Sequence, residues 1–255
     1  MQSIVNFQDV GLAYHTMQGE IPALSNISFS VKEGEFVSIV GPSGCGKSTI
    51  LNLLAGLLLP EKGTITVQGV PITQSNIPVG YMLQKDHLFE WRTVYKNIIL
   101  GLEIQNQITK ENVDRVNHLL HKYGLWEFKH VKPAQLSGGM RQRAALIRTL
   151  ALNPQLLLLD EPFSALDYQT RLHVSDDIWK IIREEHKTAL LVTHDISEAI
   201  SMSDRVIILS KGPAIVQKEI PIVIQLDERS PMAVRNSSEF KTYFNQIWKE
   251  LNPHE

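Results

Sequence analysis

Three short segments of this 255-residue chain combine residue types at spacings suited to phosphate chemistry. The first, GPSGCGKS from Gly41 to Ser48, fits the pattern G-x-x-x-x-G-K-[ST], with a strand-like apolar run before it and a helix-like apolar run after it. Gly44 and Gly46 permit backbone conformations and close approach that side chains would block, so successive N–H groups at a helix start can cradle nucleotide phosphates. Lys47 would place a point charge on the β- and γ-phosphates, and the Ser48 hydroxyl would ligate Mg²⁺. Cys45 reads as a small residue tolerated in the loop, although a helix N-terminus could lower the pKa of its thiol. The second segment, LLLLDEP, sets Asp160 and Glu161 at the C-terminal edge of a buried strand, where ligands of open α/β sheets gather. Asp160 would help hold the Mg²⁺ shell, and Glu161, one residue farther out, would orient and polarise an attacking water. The third, QLSGGMRQR, places Ser137, Gly138 and Gly139 just before a helix and so makes a second anion-binding N-terminus. One nucleotide does not need two such cradles. Taken singly, each segment also has a plainer reading: a glycine turn with an exposed lysine, solvated acids after a strand, and a serine helix cap.

The elements that must position these residues follow from periodicity. SIVNFQDVGLAY, LSNISFSV and FVSIV read as strands, with KEGE as the turn before the third, and GTITVQGVPI and VGYMLQ add more. From about 93 to 153 the spacing becomes helical, in TVYKNIILGLEIQ, KENVDRVNHLLHKYG and GGMRQRAALIRTLAL. QLLLLD, TALLVTHD and RVIILS then resume the strands, separated by the helices YQTRLHVSDDIWKIIREEH and ISEAISMS. This alternation predicts a largely parallel sheet covered on both faces, with the helical middle inserted as a separate lobe. The tail from 221, ending in the amphipathic SEFKTYFNQIWKEL, is too short for a further domain.

Composition narrows the class. With 25 basic and 27 acidic residues the formal charge is -2, so no overall attraction to nucleic acid or anionic lipid is built in. The single cysteine cannot form an internal disulfide, and MQSIVNFQDV lacks the basic start and apolar run of a secretory signal, which together point to the cytoplasm. The most apolar run, ILNLLAGLLLP, is far short of the roughly 20 residues that span a bilayer. Work at a membrane would require another chain to hold this one there.

In their order and spacing the segments resemble the nucleotide-binding subunit of an ATP-binding cassette (ABC) transporter, over nearly all of residues 4–212. The resemblance implies an α/β P-loop NTPase fold with a mostly parallel core sheet, an N-terminal antiparallel β-subdomain and an inserted α-helical subdomain. It also implies one domain over 1–255, with 1–92 and 154–220 as β-subdomain and RecA-like core, about 93–153 as helical subdomain and 221–255 as a short C-terminal extension. Gly41, Pro42, Ser43, Gly44, Cys45, Gly46, Lys47, Ser48 and Thr49 match its Walker A loop, Gln84 its Q-loop, Leu136 to Met140 its signature and Leu156 to Glu161 its Walker B. Asp167 in SALD matches the D-loop and His194 in VTHD the switch histidine, and Tyr14 falls where the family stacks an aromatic ring on adenine. The implied cofactors are ATP and Mg²⁺, the latter held by Ser48, Gln84 and Asp160. The implied catalytic pair is Glu161 and His194, in an active ATPase.

The same resemblance implies a homodimer in which Ser137, Gly138 and Gly139 of one copy contact the ATP of the other, with Asp167 communicating between the sites. It further implies an integral membrane permease, indirectly an extracytoplasmic solute-binding protein, no nucleic acid, and a peripheral place on the cytoplasmic side of the membrane. The stretch GYMLQKDHLFEWRTVYKN, which fits neither period well, becomes the permease-docking segment: Leu88, Phe89 and Trp91 lining an apolar groove, Lys85, Asp86, Glu90 and Arg92 supplying its rim. The form of this stretch and Met140 in the signature resemble importers of nitrate, aliphatic sulfonates, taurine and related solutes, with carriers of thiamine's pyrimidine precursors close by. The tail lacks the large regulatory domain of some sugar-importer cassettes. The rival readings are a soluble cassette of the translation or chromosome-repair type, an exporter, and a P-loop kinase or GTPase. The signature and the switch histidine argue against the last.

Overall fold

The computed structural model describes residues 3–17, 19–74 and 79–252. Its strands are β1 (Ser3–Thr16), β2 (Gly19–Lys32), β3 (Phe36–Val40), β4 (Lys62–Val67), β5 (Val70–Pro71), β6 (Val79–Met82), β7 (Leu156–Asp160), β8 (Thr188–Val192), β9 (Arg205–Leu209) and β10 (Val216–Pro221). Its helices are α1 (Lys47–Leu54), α2 (Val94–Ile98), α3 (Leu100–Ile104), α4 (Lys110–Lys122), α5 (Gly138–Leu150), α6 (Tyr168–Glu184), α7 (Ile196–Met202), α8 (Pro231–Arg235) and α9 (Phe240–Leu251).

One sheet, ordered β2-β1-β4-β5, is wholly antiparallel; the other, ordered β10-β9-β3-β8-β7-β6, is parallel except for β10. The parallel strands are buried runs of Leu, Ile and Val, as expected of a sheet covered on both faces. Their two-residue period divides the core. Leu157, Leu159, Ala189 and Leu191 face a cluster shared with α2, α4, α5 and α6. Leu156, Leu158, Leu190 and Val192 face the antiparallel sheet and α1.

Short polar side chains mark the helix starts: Thr93, Thr109, Ser137, Asp167, Asp195 and Ser230 each accept a hydrogen bond from a first-turn amide. The helices between 93 and 153 include α2 and α3, which meet at Ile99 with the hydrogen-bond ladder continuing through Ile99 and Glu103. The two sheets are tied beside β2 by Ser25 N–H to Ala214 O (2.8 Å) and Ala214 N–H to Ala23 O (2.9 Å).

The tail is packed into the fold. Val234 of α8 and Ile247 of α9 are fully buried with Ala199 and Ile200 of α7 and with Val206 and Ile208 of β9. Asp204 anchors it electrostatically, accepting from Arg183 (2.7 and 2.8 Å), Arg229 (2.9 Å) and Phe36 N–H (2.9 Å). Truncating Ile247→Ala should cost about 3 kcal/mol, the usual range for a buried aliphatic side chain. A urea melt should show the midpoint falling with an unchanged slope; an unchanged midpoint would mean that α9 contributes nothing to global stability.

Candidate functional site

Parallel register brings the site together. Ile39 of β3 and Asp160 of β7 are both level with Val192 of β8, and Met82 of β6 is level with Leu159. The chain therefore leaves four adjacent strands at one edge, from β3 into Gly41, from β8 into His194, from β7 into Glu161 and from β6 into Gln84.

A cavity of about 370 Å³ opens there, lined by Ser43, Gly44, Gly46, Lys47, Ser48 and Thr49, with Tyr14, Ile21, Pro22 and Ala23 on one side and Glu161 on another. Gly44 and Gly46 take left-handed φ values of 74° and 113°. A Cβ at Gly46 would also lie 2.8 Å from Leu24 Cδ2 and 3.1 Å from Ala23 O, so only glycine lets the loop run this close to β2. Lys47 is nearly buried and donates from Nζ to Gly41 O (2.9 Å) and Pro42 O (3.0 Å). The loop's own carbonyls thus hold the ammonium beside the cavity. Tyr14 reaches the same place through its hydroxyl, 2.9 Å from Thr49 Oγ1.

At Cys45 burial and the helix start act in opposite directions. Its side chain is buried, and burial pushes the thiol pKa up despite the pull of Lys47. Desolvation outweighs the helix start, and Cys45 is a packing residue.

The two adjacent acids differ because the backbone turns between them. Asp160, the last residue of β7, accepts from Ser48 Oγ (3.2 Å) and from the Tyr81 hydroxyl (3.3 Å), which also reaches Asn52 Oδ1 (3.2 Å). Burial pushes the Asp160 carboxyl above its usual range, and those hydrogen bonds oppose the rise. The Tyr81 phenol is pushed up by its own burial and by the Asp160 charge. Glu161 has a φ of 43°, a left-handed conformation that costs a non-glycine residue about 1–3 kcal/mol. Its N–H to Val192 O (2.9 Å), and the Ser164 N–H and Oγ on its carbonyl (3.2 and 3.0 Å), fix the turn. The carboxylate then lies 3.1 Å from His194 Nδ1.

The donor set suits Mg²⁺. Ser48 supplies a hydroxyl and Asp160 a carboxylate, while Gln84 uses its amide Nε2 on Ser164 Oγ (3.3 Å), leaving the amide oxygen as a third hard donor. Among the described residues no cluster of His, Cys, Asp and Glu could hold a metal on its own, so a cation here would draw most of its ligands from phosphate and water.

The second cradle is elsewhere. Ser137 caps α5 through Met140 N–H (3.3 Å), and Gly138 lines a separate cavity of about 410 Å³ with Lys85, Arg141 and Leu166. A Cβ at Gly139 would come 2.8 Å from Val174 Cγ2, so close packing of α5 on α6 requires this glycine whatever it binds. Asp167 caps α6 through Thr170 N–H (3.0 Å).

The side chains of the docking segment divide between the interior and the surface. Leu88 is buried in the core beside Val94 and Ile98, because the loop needs an apolar anchor where it joins α2. Arg92 turns inward to pair with Glu103 and to donate to Lys96 O (3.1 Å). Leu88 nevertheless lines the cavity of about 410 Å³ with Lys85 and Asp86, whereas Arg92 is not part of its wall. Asp86 and Glu90 are likewise taken up by Arg141, at 2.9 and 2.7 Å. Phe89 and Trp91 remain exposed, at 37% and 72%, with ring centroids 4.6 Å apart.

Sequence reasoning missed Tyr81, Asn52, Arg141 and Arg148. Tyr81 could be found only by knowing that β6 lies beside β7, and the two arginines only from the fold of the loop they hold.

The chain matches the family model described as ABC transporter over residues 24–164. It is 44% identical over 250 residues to an uncharacterized ABC transporter ATP-binding protein of Bacillus subtilis, YtlC, covering 98% of this chain and 96% of that protein. It is 39% identical over 254 residues to the nitrate import ATP-binding protein NrtD of Synechocystis, covering 97% and 94% respectively. Among solved structures, a dimeric post-hydrolysis ATP-binding cassette bound to ADP and Pi superposes with a TM-score of 0.72 at 33% identity, over 87% of this chain and all of that one.

The Tyr81–Asp160 contact makes a prediction. Only ionised Asp160 can serve as a cation ligand, and the phenol favours that form, so Tyr81→Phe should raise the Asp160 pKa further. The acid limb of the pH profile for ATP hydrolysis should move to higher pH with the plateau retained; an unmoved limb would remove Tyr81 from this role.

Proposed function

The chain belongs to the ABC transporter family, and from that premise we propose that it is the ATP-hydrolysing subunit of a nitrate-type importer, working as a head-to-tail pair of copies beneath a membrane permease. The observation that carries the pairing is the separation of the two anion cradles. Lys47 and Glu161 line one cavity and Gly138 another, so a single copy does not bring both to one phosphate chain. A second copy, turned end to end, would lay Ser137, Gly138 and Gly139 over the γ-phosphate held by the first.

In this reading Tyr14 stacks on the base, and the loop from Gly41 to Thr49 holds the phosphates with Lys47 as the point charge. Mg²⁺, held by Ser48, Asp160 and Gln84, would neutralise charge on the β- and γ-phosphates. Glu161 takes the proton of the attacking water as general base, and His194, in contact with its carboxylate, fixes its orientation toward the γ-phosphate. Asp167, at the start of α6, conveys the state of one site to the other. Residues 93–153 act as the helical lobe that moves against the core formed by 1–92 and 154–220.

Among the described residues no helix is long and apolar enough to cross a membrane. The permease in this reading is therefore separate, with this chain peripheral to it on the cytoplasmic side. Phe89 and Trp91, exposed and with their tilted rings in contact, form the apolar patch that the permease would meet. The likeness to NrtD favours a small solute such as nitrate or a related anion, delivered by an extracytoplasmic binding protein.

Glu161→Gln should keep ATP binding, lose about 10²–10⁴-fold in turnover and accumulate an ATP-bound dimer on size-exclusion chromatography. Near-normal turnover would sink the assigned base. Ser137→Arg, introduced into the Glu161→Gln background, should leave ATP binding intact but abolish the dimer peak, and an undiminished peak would remove the second cradle from the interface. Trp91→Ala should release the subunit from detergent-solubilised permease while its own hydrolysis persists; retention on the permease would move the docking surface elsewhere.

A further inference from the structure

Arg235, the last residue of α8, is alone among the described arginines in having a side chain with no hydrogen bond or ion pair, and its Nε is buried. It lines a cavity of about 290 Å³ between α8, the start of α6 and the start of α7. Arg171 lines the same cavity, with its Nε also buried and without a hydrogen bond, 3.9 Å from Glu198 Oε1. The remaining wall includes Leu172, Met232 and Phe240.

The neighbouring carboxylates are committed. Asp195 caps α7 through Ser197 N–H (2.7 Å) and Glu198 N–H (3.2 Å) and lies 3.5 Å from Arg171. Glu198 accepts from Thr193 Oγ1 (2.8 Å), with its pKa pushed up by burial, and Asp176 accepts from Met232 N–H (3.0 Å). None of them lies within ion-pair distance of Arg235, although the charges of Asp195, Glu198 and Asp176 all act on it; Arg171 is shared by Asp195 and Glu198, so Arg235 is the guanidinium on this wall left without a hydrogen-bond acceptor. The Arg235 Nε, buried without an acceptor, is costly to leave unpaired, and the guanidinium's planar fork matches two coplanar oxygens.

We propose that this cavity binds a small organic carboxylate, its two oxygens on Arg235 and its carbon skeleton against Leu172, Met232 and Phe240. Such a ligand would sit beside Asp195, which follows His194, and Tyr168, which follows Asp167. The proposal does not depend on the importer reading.

Isothermal titration of the full chain with butyrate, benzoate and succinate at constant ionic strength tests it, with butyramide and chloride as controls. At least one acid should give saturable binding where the amide and chloride give none. Arg235→Gln should weaken that binding by about tenfold or more, as loss of a charged hydrogen-bond donor implies. Asn236→Trp, placed at the exposed mouth, should block it with Arg235 still present, and unchanged ATP affinity would report that each variant is folded. No saturable binding of any of the acids, or unaltered affinity in either variant, overturns the proposal.

Discussion

Everything chemical in this protein depends on the parallel register of β3, β8, β7 and β6. In a parallel sheet all strands end in the same direction, so residues far apart in the chain arrive at one edge without any direct bond between them. Here Ile39, Val192 and Asp160 stand level, and the chain runs on from them into the glycine-rich loop at Gly41, into His194 and into Glu161. A one-residue slip of β7 would turn its apolar side chains to the wrong core and carry Glu161 away from His194. The two faces of the strand are occupied by different clusters, one with the helices and one with the antiparallel sheet, so both cores oppose the slip.

Within that frame, one turn of backbone separates two carboxylates by function. Asp160 is still in the strand, half-buried, and spoken for by Ser48 and Tyr81; Glu161 is thrown out of the strand by its left-handed φ and meets an exposed imidazole. An acid held in a hydrogen-bonded niche suits a cation. An acid at the rim, with a histidine beside it, suits water. The conformational cost at Glu161 is offset by hydrogen bonds to its own amide and carbonyl, which is how a strained residue can persist at a site.

The sequence was most informative where chemistry is local. The glycine loop, Asp160 with Glu161, and the serine before α5 are contiguous patterns, and the apolar runs of β3, β7 and β8 announced a sheet buried on both faces. Strand order is not local, and so Tyr81 was invisible as a partner of Asp160 until β6 was seen beside β7. The segment 85–92 was read as a single surface, yet its residues divide: Leu88 is core, Arg92 and Asp86 are paired inward, and only Phe89 and Trp91 of its large apolar groups stay out. Composition says that such a stretch is amphipathic; only the fold says which side each residue takes. For Cys45 the opposing effects of burial and a helix start could not be weighed before its burial was known.

That same segment is bound to α5 by more than packing. Arg141 donates to both carboxylate oxygens of Asp86 (2.9 and 3.1 Å) and to Glu90 (2.7 Å), while Arg148 donates to the carbonyls of Asp86 (2.8 Å) and His87 (2.7 Å). Burial works against the Asp86 charge, but the hydrogen bonds from Arg141 and from Leu88 N–H hold its pKa below the usual value, so the clamp is ionic at neutral pH. Exposed Phe89 and Trp91 flank Glu90, one of its anchors, and Gln84 lies just before the clamped stretch. A force applied to the two rings has to move α5 or break five hydrogen bonds, several of them charged, whereas moving α5 as a rigid rod keeps them all. The residue that caps that rod is Ser137. The two exposed rings and the Ser137 start of α5 therefore belong to one rigid piece, a physical basis on which movement of a partner bound at the rings would carry Ser137 with it.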